Sequence, residues 1–303
     1  MKRAKVHAPA KINLTLHVTG QRDDGYHLLD SLVVFAPVHD TLDMNFDTSD
    51  LSMTVEGPEA DGVPTDMANL VLRAADILGE HLAAHLTKNL PPASGMGGGS
   101  ADAAAVLRAL LLRTLPPEAT LDDIVAQLLQ KIQALELHAL GADVPMCMLN
   151  MPMHVRGIGE QMTPLGGIPP INALLVNPRR AVSTPEVFRA MTTRDNPPMP
   201  EIPTLPDAAA LIAFLKDMRN DMQVAAKAIE PSIGDVLTTL ERTPGCGLAR
   251  MSGSGASCFG LFADISDEEL AKTAQTIRRA HPDWWVASGP LGNQFSLGLP
   301  TFS

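Results

Sequence analysis

A glycine-rich segment at residues 91–102 carries the clearest chemical pattern in the sequence. It contains Gly95 and the glycine run 97–99, and a helical pattern that we place at residues 103–112 follows it directly. Glycine lets backbone amides approach an anion closely, and the unpaired N–H groups at a helix N-terminus favour phosphate. We therefore predict that this segment binds a phosphate group. The simpler alternative is a flexible turn in which Ser100 caps the helix.

The segment differs from the common nucleotide and hydrolase motifs. It has no Lys followed by Ser or Thr, as a Walker loop requires, and Ser100 stands where a GxGxxG motif needs its last glycine. Residues 98–102 and 253–255 both lack the complete GxSxG pattern of a nucleophile elbow. These differences disfavour a P-loop protein, a Rossmann dehydrogenase and a serine hydrolase.

Further polar groups stand at three other places. Lys11 and Asn13 lie on the polar side of an alternating strand, Asp143 lies in the sequence Leu-Gly-Ala-Asp-Val-Pro, and residues 251–257 are almost all small. Each has a structural explanation: a solvated lysine, a turn at a helix C-terminus before a strand, and a hairpin turn. An acidic residue is unfavourable at a helix C-terminus, which favours a functional role for Asp143.

Composition limits the classes of protein to consider. The chain has 303 residues, 45% of them hydrophobic and 19% charged, as in ordinary folded proteins of one or two domains. A formal net charge of -11 argues against a nucleic acid or an anionic membrane as the main partner. Three scattered cysteines and no spanning apolar run favour a cytoplasmic protein with buried thiols.

The elements that must position these groups follow from hydrophobic periodicity. We predict a strand from Lys11 to Val18, three more strands before residue 57, helices through the region 70–132, and then a break near Gly166. Beyond the break we expect another strand, a proline-rich loop at 192–206 and a helix opened by a capping box at Ser266. The predicted strands lie at 31–36, 41–46, 51–56, 173–176, 247–251 and 258–262.

Together these segments resemble the GHMP kinase family. That family combines a Pro-x-Lys-x-Asn strand, a glycine-rich phosphate loop and a C-terminal small-residue loop, which correspond here to residues 9–13, 95–100 and 251–257. The resemblance implies an α+β fold of two domains with the active site in the cleft between them. We place the N-terminal domain at 1–166 and the C-terminal domain at 167–303.

The resemblance also implies roles for individual residues. It puts the catalytic pair, Asp143 and Lys11, at the reacting hydroxyl. It assigns the co-substrate ATP to Pro91, Ser94, Gly95, Met96, Gly97, Gly98, Gly99 and Ser100, with Asn69 and Lys88 at the adenosine end. It assigns the second substrate to Asn13, Tyr26, His27, Thr184 and Phe188. Mg²⁺ is expected with the ATP phosphates, and Ser100 is a candidate hydroxyl ligand, although no carboxylate cluster marks a metal site.

Residues 24–31, together with the Asp143 segment, resemble one branch of the family. The resemblance implies ATP-dependent phosphorylation of the 2-hydroxyl of a cytidine-diphosphate-linked methylerythritol, in the non-mevalonate route to isoprenoid precursors. The alternatives are a mevalonate- or homoserine-type kinase and a catalytically silent nucleotide-binding regulator; retention of both Lys11 and Asp143 argues against the regulator. Two anionic substrates on an acidic chain predict a basic pocket around Lys11, His27 and Lys88.

One departure from the family pattern concerns the stretch between Asn69 and Lys88. It is shorter than usual, and we expect residues 81–87 to lack the room for the extra strand that family members often carry there.

Overall fold

The computed structural model of the protein describes residues 1–116, 118–135 and 137–303. Its strands are β1 (Arg3–Asn13), β2 (His17–Gln21), β3 (His27–Asn45), β4 (Leu51–Glu56), β5 (Leu82–Thr87), β6 (Met153–Gly157), β7 (Gln161–Pro164), β8 (Ile171–Asn177), β9 (Leu248–Met251), β10 (Cys258–Phe262), β11 (Trp285–Leu291) and β12 (Thr301–Phe302). Its helices are α1 (Leu70–Ile77), α2 (Gly98–Leu112), α3 (Leu121–Ala134), α4 (Val144–Cys147), α5 (Thr184–Ala190), α6 (Ala208–Lys216), α7 (Gln223–Ile229), α8 (Ser232–Glu241) and α9 (Asp267–Ala280). A 3₁₀ turn at Leu137–Ala139 precedes α4.

The strands form two sheets. The first has the order β12-β1-β3-β5-β4, with β2 and β6 also paired to β3 and β7 paired to β6. The second is antiparallel throughout and has the order β11-β8-β10-β9. The chain passes from one sheet to the other between β7 and β8, and its last strand returns to pair with β1.

A bulge in β1 decides which way the first motif faces. The register of β1 against β3 shifts between Pro9 and Lys11. Val6 and Ala8, before the shift, pack in the core beneath α1 and α2, whereas Ile12, after it, packs in a core shared with the second sheet. Bulges of this kind redirect side chains. Lys11 thereby turns toward the N-terminus of α2 instead of toward solvent.

Several predictions of local structure are confirmed. The strands β4 and β10 have the predicted bounds, residues 192–206 form an irregular loop, and Ser266 closes a capping box at the start of α9. The two strands predicted at 31–36 and 41–46 are parts of one long strand, β3. Within the described ranges, no helix combines the length and the apolar character that a membrane crossing requires.

Four predictions of local structure are wrong. The strand expected from Lys11 to Val18 is interrupted, since β1 ends at Asn13 and β2 begins at His17. The stretch after Asn69 does hold a strand, β5, because α1 ends already at Ile77 and a short turn follows it. The helix after the glycine segment begins at Gly98 and not at residue 103, so Ser100 lies in its first turn and Gly97 takes the capping position. Asp143 precedes a short helix, α4, and does not end one.

Candidate active site

At two positions of the glycine segment, the backbone lies so close to neighbouring atoms that there is no room for a side chain. A Cβ at Gly95 would lie 2.4 Å from the backbone oxygen of Ser252, and one at Gly97 would lie 2.9 Å from Cγ of Lys11. Both glycines also have positive φ angles, 77° and 66°, which L side chains rarely adopt. Gly97 is the N-cap residue of α2, and among the described residues no side chain makes a capping hydrogen bond there. The first-turn amides of this helix therefore remain available to an anion.

The small-residue loop 251–257 packs directly against the glycine segment. Ser252 Oγ donates to the Gly95 oxygen at 3.2 Å and accepts a hydrogen bond from the backbone N–H of Asn13 at 3.1 Å. The backbone N–H of Ser257 donates to the Ser94 oxygen at 3.0 Å, and that of Lys11 donates to the Met96 oxygen at the same distance. The three motifs, separate in sequence, thus form one wall.

Lys11 and Asp143 form an ion pair at this wall. Lys11 Nζ lies 3.2 Å from Asp143 Oδ2 and donates to Asn13 Oδ1 at 2.6 Å. Lys11 is only 5% exposed, while the Asp143 side chain keeps 32% of its surface open. Asp143 makes no capping hydrogen bond to α4, so its carboxylate faces the cleft. The alternative explanation of Lys11 as a solvated lysine on a strand face is therefore wrong.

A cleft of about 990 Å³ extends from this pair between the two sheets. At its other end the ring of His27 stacks on Phe188, with centroids 4.0 Å apart and planes 8° from parallel. Thr184 Oγ1 lies 2.7 Å from Ser254 Oγ, and Tyr26 is 61% exposed at the mouth. A flat, partly apolar slot of this kind accepts an aromatic base.

The surroundings of His27 favour its uncharged form. Burial lowers its pKa below the usual range, and the positive charge of Arg194 lowers this pKa further. Its Nε2 is buried and has no hydrogen-bond partner among the described residues. A neutral imidazole with an open nitrogen is suited to hydrogen-bond a ligand in the slot.

Among the described residues of the cleft wall, cationic side chains outnumber acidic ones. Lys11, Arg189 and Arg194 line the cleft together with Asp143. Arg194 Nε and Nη2 donate to the Phe188 oxygen at the end of α5, at 3.2 and 2.9 Å. The local excess of positive charge on a chain of net charge -11 favours anionic substrates.

Comparison with known proteins agrees with this arrangement of motifs. The family described as "GHMP kinases N terminal domain" matches residues 67–150, and "GHMP kinases C terminal" matches residues 205–283. Together these matches cover more than half of the chain. The chain belongs to the GHMP kinase family.

Relatives of this GHMP kinase extend over almost its whole length. A 4-diphosphocytidyl-2-C-methyl-D-erythritol kinase of Paracoccus denitrificans is 50% identical over 94% of this chain and 95% of its own. The enzyme of that name in Roseobacter denitrificans is 50% identical over 99% and 97% of the two chains.

Solved structures show the same two-domain α+β fold. A crystal structure of 4-(cytidine 5'-diphospho)-2C-methyl-D-erythritol kinase superposes with a TM-score of 0.69, at 30% identity over 95% of this chain and 99% of that one. A homoserine kinase from Cytophaga hutchinsonii gives 0.65 at 18% identity, over 99% and 97% of the chains, which shows a shared fold alone.

Some residues expected at ATP do not line the cleft of this GHMP kinase. Lys88 is buried, and its ammonium contacts the carboxylates of Asp40 and Asp102, the latter at 2.8 Å. Asn69 caps α1 by accepting from the backbone N–H of Val71 at 2.9 Å. Pro91 and Met96 are also buried and outside the lining. Lys88 therefore does not contribute to the basic pocket predicted around Lys11, His27 and Lys88. Arg189 and Arg194 supply positive charge to the cleft instead.

Sequence reasoning missed both cleft arginines. Arg194 donates to the backbone carbonyls of Phe188 and Arg189, which every residue type provides, and Arg189 lies 3.9 Å from Glu186 on its own helix, so no motif marks either arginine. The available signal was the two positive charges that follow the Ser183-Thr184-Pro185 segment within ten residues.

A resident metal ion does not fit the side chains at this site. Across the described residues, no group of three or more His, Cys, Asp or Glu comes together in a way that could hold one. Asp143 is the only acidic residue in the cleft lining among the described residues, and it is already paired with Lys11.

Proposed function

We propose that this chain transfers the γ-phosphoryl group of ATP to the 2-hydroxyl of 4-diphosphocytidyl-2-C-methyl-D-erythritol. The observation that carries the proposal is the Lys11–Asp143 pair, 3.2 Å apart, beside the uncapped N-terminus of α2 in a cleft with an aromatic slot at its far end. Relatives at 50% identity over nearly the whole chain bear this enzyme's name.

The two ends of the cleft divide the substrates. The amides of the glycine segment bind the ATP phosphates, with Ser94 and Ser100 beside them. Tyr26, His27 and Phe188 hold the cytosine, and Thr184 lies near its ribose or diphosphate. Asn13 orients Lys11 and contacts the acceptor. Asn69 serves the adenosine end through the position of α1.

In the transfer step the acceptor oxygen attacks the γ-phosphorus of ATP. The bond from that phosphorus to the bridging oxygen breaks, ADP leaves, and the hydroxyl proton passes to the carboxylate of Asp143. Lys11 stabilises the negative charge on the transferring group from its buried position.

The free energy of moving the proton indicates that it is transferred late, as the new P–O bond forms. For model compounds in water, moving a proton from an alcohol (pKa about 15.7) to an aspartate (about 3.9) costs roughly 16 kcal/mol. A turnover of about 10 per second corresponds to a total barrier of about that size. Complete deprotonation before transfer would leave nothing for phosphoryl transfer itself, so Asp143 orients the hydroxyl first and accepts its proton as the new bond forms.

Mg²⁺ enters this proposal only as the counter-ion that ATP brings to the site. Its hydroxyl ligand on the protein would be Ser100, in the first turn of α2. We expect the reaction to take place in the cytoplasm, since the three cysteines, Cys147, Cys246 and Cys258, are free thiols.

The test is ADP release by the purified protein with ATP and Mg²⁺. The cytidine substrate, mevalonate and homoserine are compared, with Asp143→Asn as the matched variant. We expect release with the cytidine substrate alone, and a loss of two to four orders of magnitude in kcat for Asp143→Asn with little change in ATP affinity. Near-normal turnover of the variant would refute the role of Asp143, and ATP binding without turnover of any acceptor would refute the activity.

A further inference from the structure

Arg108 is a buried cation that the mechanism above does not use. It lies on α2, is 1% exposed, and forms no ion pair with any described carboxylate. Its guanidinium instead donates to three backbone carbonyls in three separate parts of the chain. Burial lowers its pKa to about 10, which still leaves it charged at neutral pH.

Two of its three partners lie a short distance along the chain from a part of the site. Nη2 donates at 2.9 Å to the oxygen of His7, on β1, the strand that carries Lys11. Nη1 donates to the oxygen of Cys147 on α4, whose own N–H donates to the Asp143 oxygen at 3.2 Å. Arg108 itself stands on the helix whose first turn forms the phosphate site.

The third partner belongs to a C-terminal strap, residues 292–303, that leaves the second sheet and returns to the first. Nε of Arg108 donates to the Gly298 oxygen at 2.8 Å, and the Gln294 N–H donates to the Asn150 oxygen at 2.8 Å. A Cβ at Gly298 would lie 2.0 Å from the side-chain amide of Asn150. With its oxygen turned toward the guanidinium, that amide accepts from Arg108 at 3.2 Å.

We infer that Arg108 is a positioning residue for phosphoryl transfer. Its hydrogen bonds to β1, α4 and the C-terminal strap hold α2, the strand that carries Lys11 and the turn that carries Asp143 in fixed relative positions. A planar guanidinium has donors in fixed directions, so one side chain can hold three separate backbone segments at once. A lysine keeps the charge but lacks that geometry. The inference rests on the proposed function, because its effect is on the Lys11–Asp143 pair.

The experiment compares Arg108→Lys, Gly298→Ala and the wild-type chain. We expect both variants to lose ten- to a hundredfold in kcat, with KM for ATP changed less than about threefold, since a small displacement of Asp143 penalises the transfer more than nucleotide binding. Hydrogen exchange should accelerate at residues 143–149 in both variants, in the absence of any substrate.

Leu240→Ala is the matched control for a general loss of stability. Leu240 is fully buried on α8, in the core behind the second sheet, and lies outside both the cleft lining and the strap. We expect this variant to lower the melting temperature while kcat stays within about threefold of wild type. If Arg108→Lys behaves as this control does, with reduced stability and unchanged kcat, the positioning role is overturned.

Two further experiments distinguish failure of the positioning role from failure to fold and from failure of the proposed function. Should Arg108→Lys fail to fold, the chain truncated after residue 297 removes the Gly298 acceptor with Arg108 intact, and normal kcat in that chain overturns the inference. If the wild-type chain turns over none of the three acceptors, the proposed function fails; the hydrogen-exchange comparison then decides whether Arg108 orders the Asp143 turn.

Discussion

Lys11 and Asp143 form one pair but have different freedom. The lysine ammonium donates one proton to the Asn13 oxygen and forms an ion pair with the Asp143 carboxylate at 3.2 Å, so it keeps donor capacity for a ligand in the cleft. The aspartate keeps a third of its side-chain surface open. The buried position of Lys11 suits it to stabilise negative charge, and the exposed carboxylate of Asp143 suits it to accept a proton.

Arg194 contributes to the lowered pKa of His27 in the aromatic slot, and this contribution can be measured directly. Its positive charge is the second cause, after burial, of the lowered pKa of His27. We expect Arg194→Met to raise the His27 pKa partway toward the usual value, because the burial remains. NMR titration of the imidazole measures this shift, and KM for the cytidine substrate should rise in the same variant because a cleft cation is lost.

Arg189→Met is the matched control for Arg194→Met. Arg189 also lines the cleft but is not among the groups that shift the pKa of His27. This substitution should leave the imidazole titration where it is in the wild-type protein. Equal shifts in both variants would show that the pKa responds to the net charge of the cleft and not to Arg194 itself.

At the scale of elements, the turn from β5 into α2 depends on backbone that only glycine allows. We expect Gly95→Ala to raise KM for ATP and to lower kcat, because its new Cβ would meet the Ser252 oxygen at 2.4 Å and push the two loops apart. Steady-state kinetics with varied ATP measures the effect.

Gly79→Ala separates crowding from strain. Gly79 follows α1 with φ 65°, close to the 77° of Gly95, and a Cβ there would have no atom within 4 Å. Both substitutions carry the left-handed strain of about 1 kcal/mol, but only one crowds the site. Normal kinetics in Gly79→Ala with impaired kinetics in Gly95→Ala is the expected result; equal kinetics in the two would contradict it.

Local signals account for the elements that the sequence predicts well. The capping box at Ser266 joins residues three apart, and the glycine segment has a composition that few turns need, so both are visible in a short window. The bulge at Pro9 and the helix after Asp143 depend on register and packing between distant segments. The direction of Lys11 and the start of α4 could therefore not be predicted from periodicity.

The roles of Lys88 and Arg108 show the same limit for the site. A lysine after a strand and an arginine in a helix have ordinary sequence contexts, and only the fold shows that carboxylates surround one and carbonyls surround the other. Family resemblance places Lys88 near adenosine by position in the chain. The structure shows that the Lys88 ammonium points toward the carboxylates of Asp40 and Asp102.

For the molecule as a whole, the buried cluster of Lys88, Asp40 and Asp102 links stability to pH. Two carboxylates share one ammonium in a site closed to water, and Oδ1 of Asp102 has no hydrogen-bond partner among the described residues. Burial, opposed by Lys88 and reinforced by Asp40, raises the pKa of Asp102 to about 7. The folded chain thus holds a proton that the unfolded chain releases near pH 4.

The sign of the effect follows from this difference. Between about pH 4 and pH 7 the folded state binds the extra proton, so the free energy of unfolding falls as the pH rises through that window. Asp102→Asn has no proton to lose and retains the shape of the side chain. We expect wild type to lose a few kcal/mol of stability relative to this variant between pH 5 and pH 8, measured by urea unfolding at each pH. Parallel stability curves for the two proteins would mean that Asp102 stays ionised throughout and that Lys88 fully compensates both carboxylates.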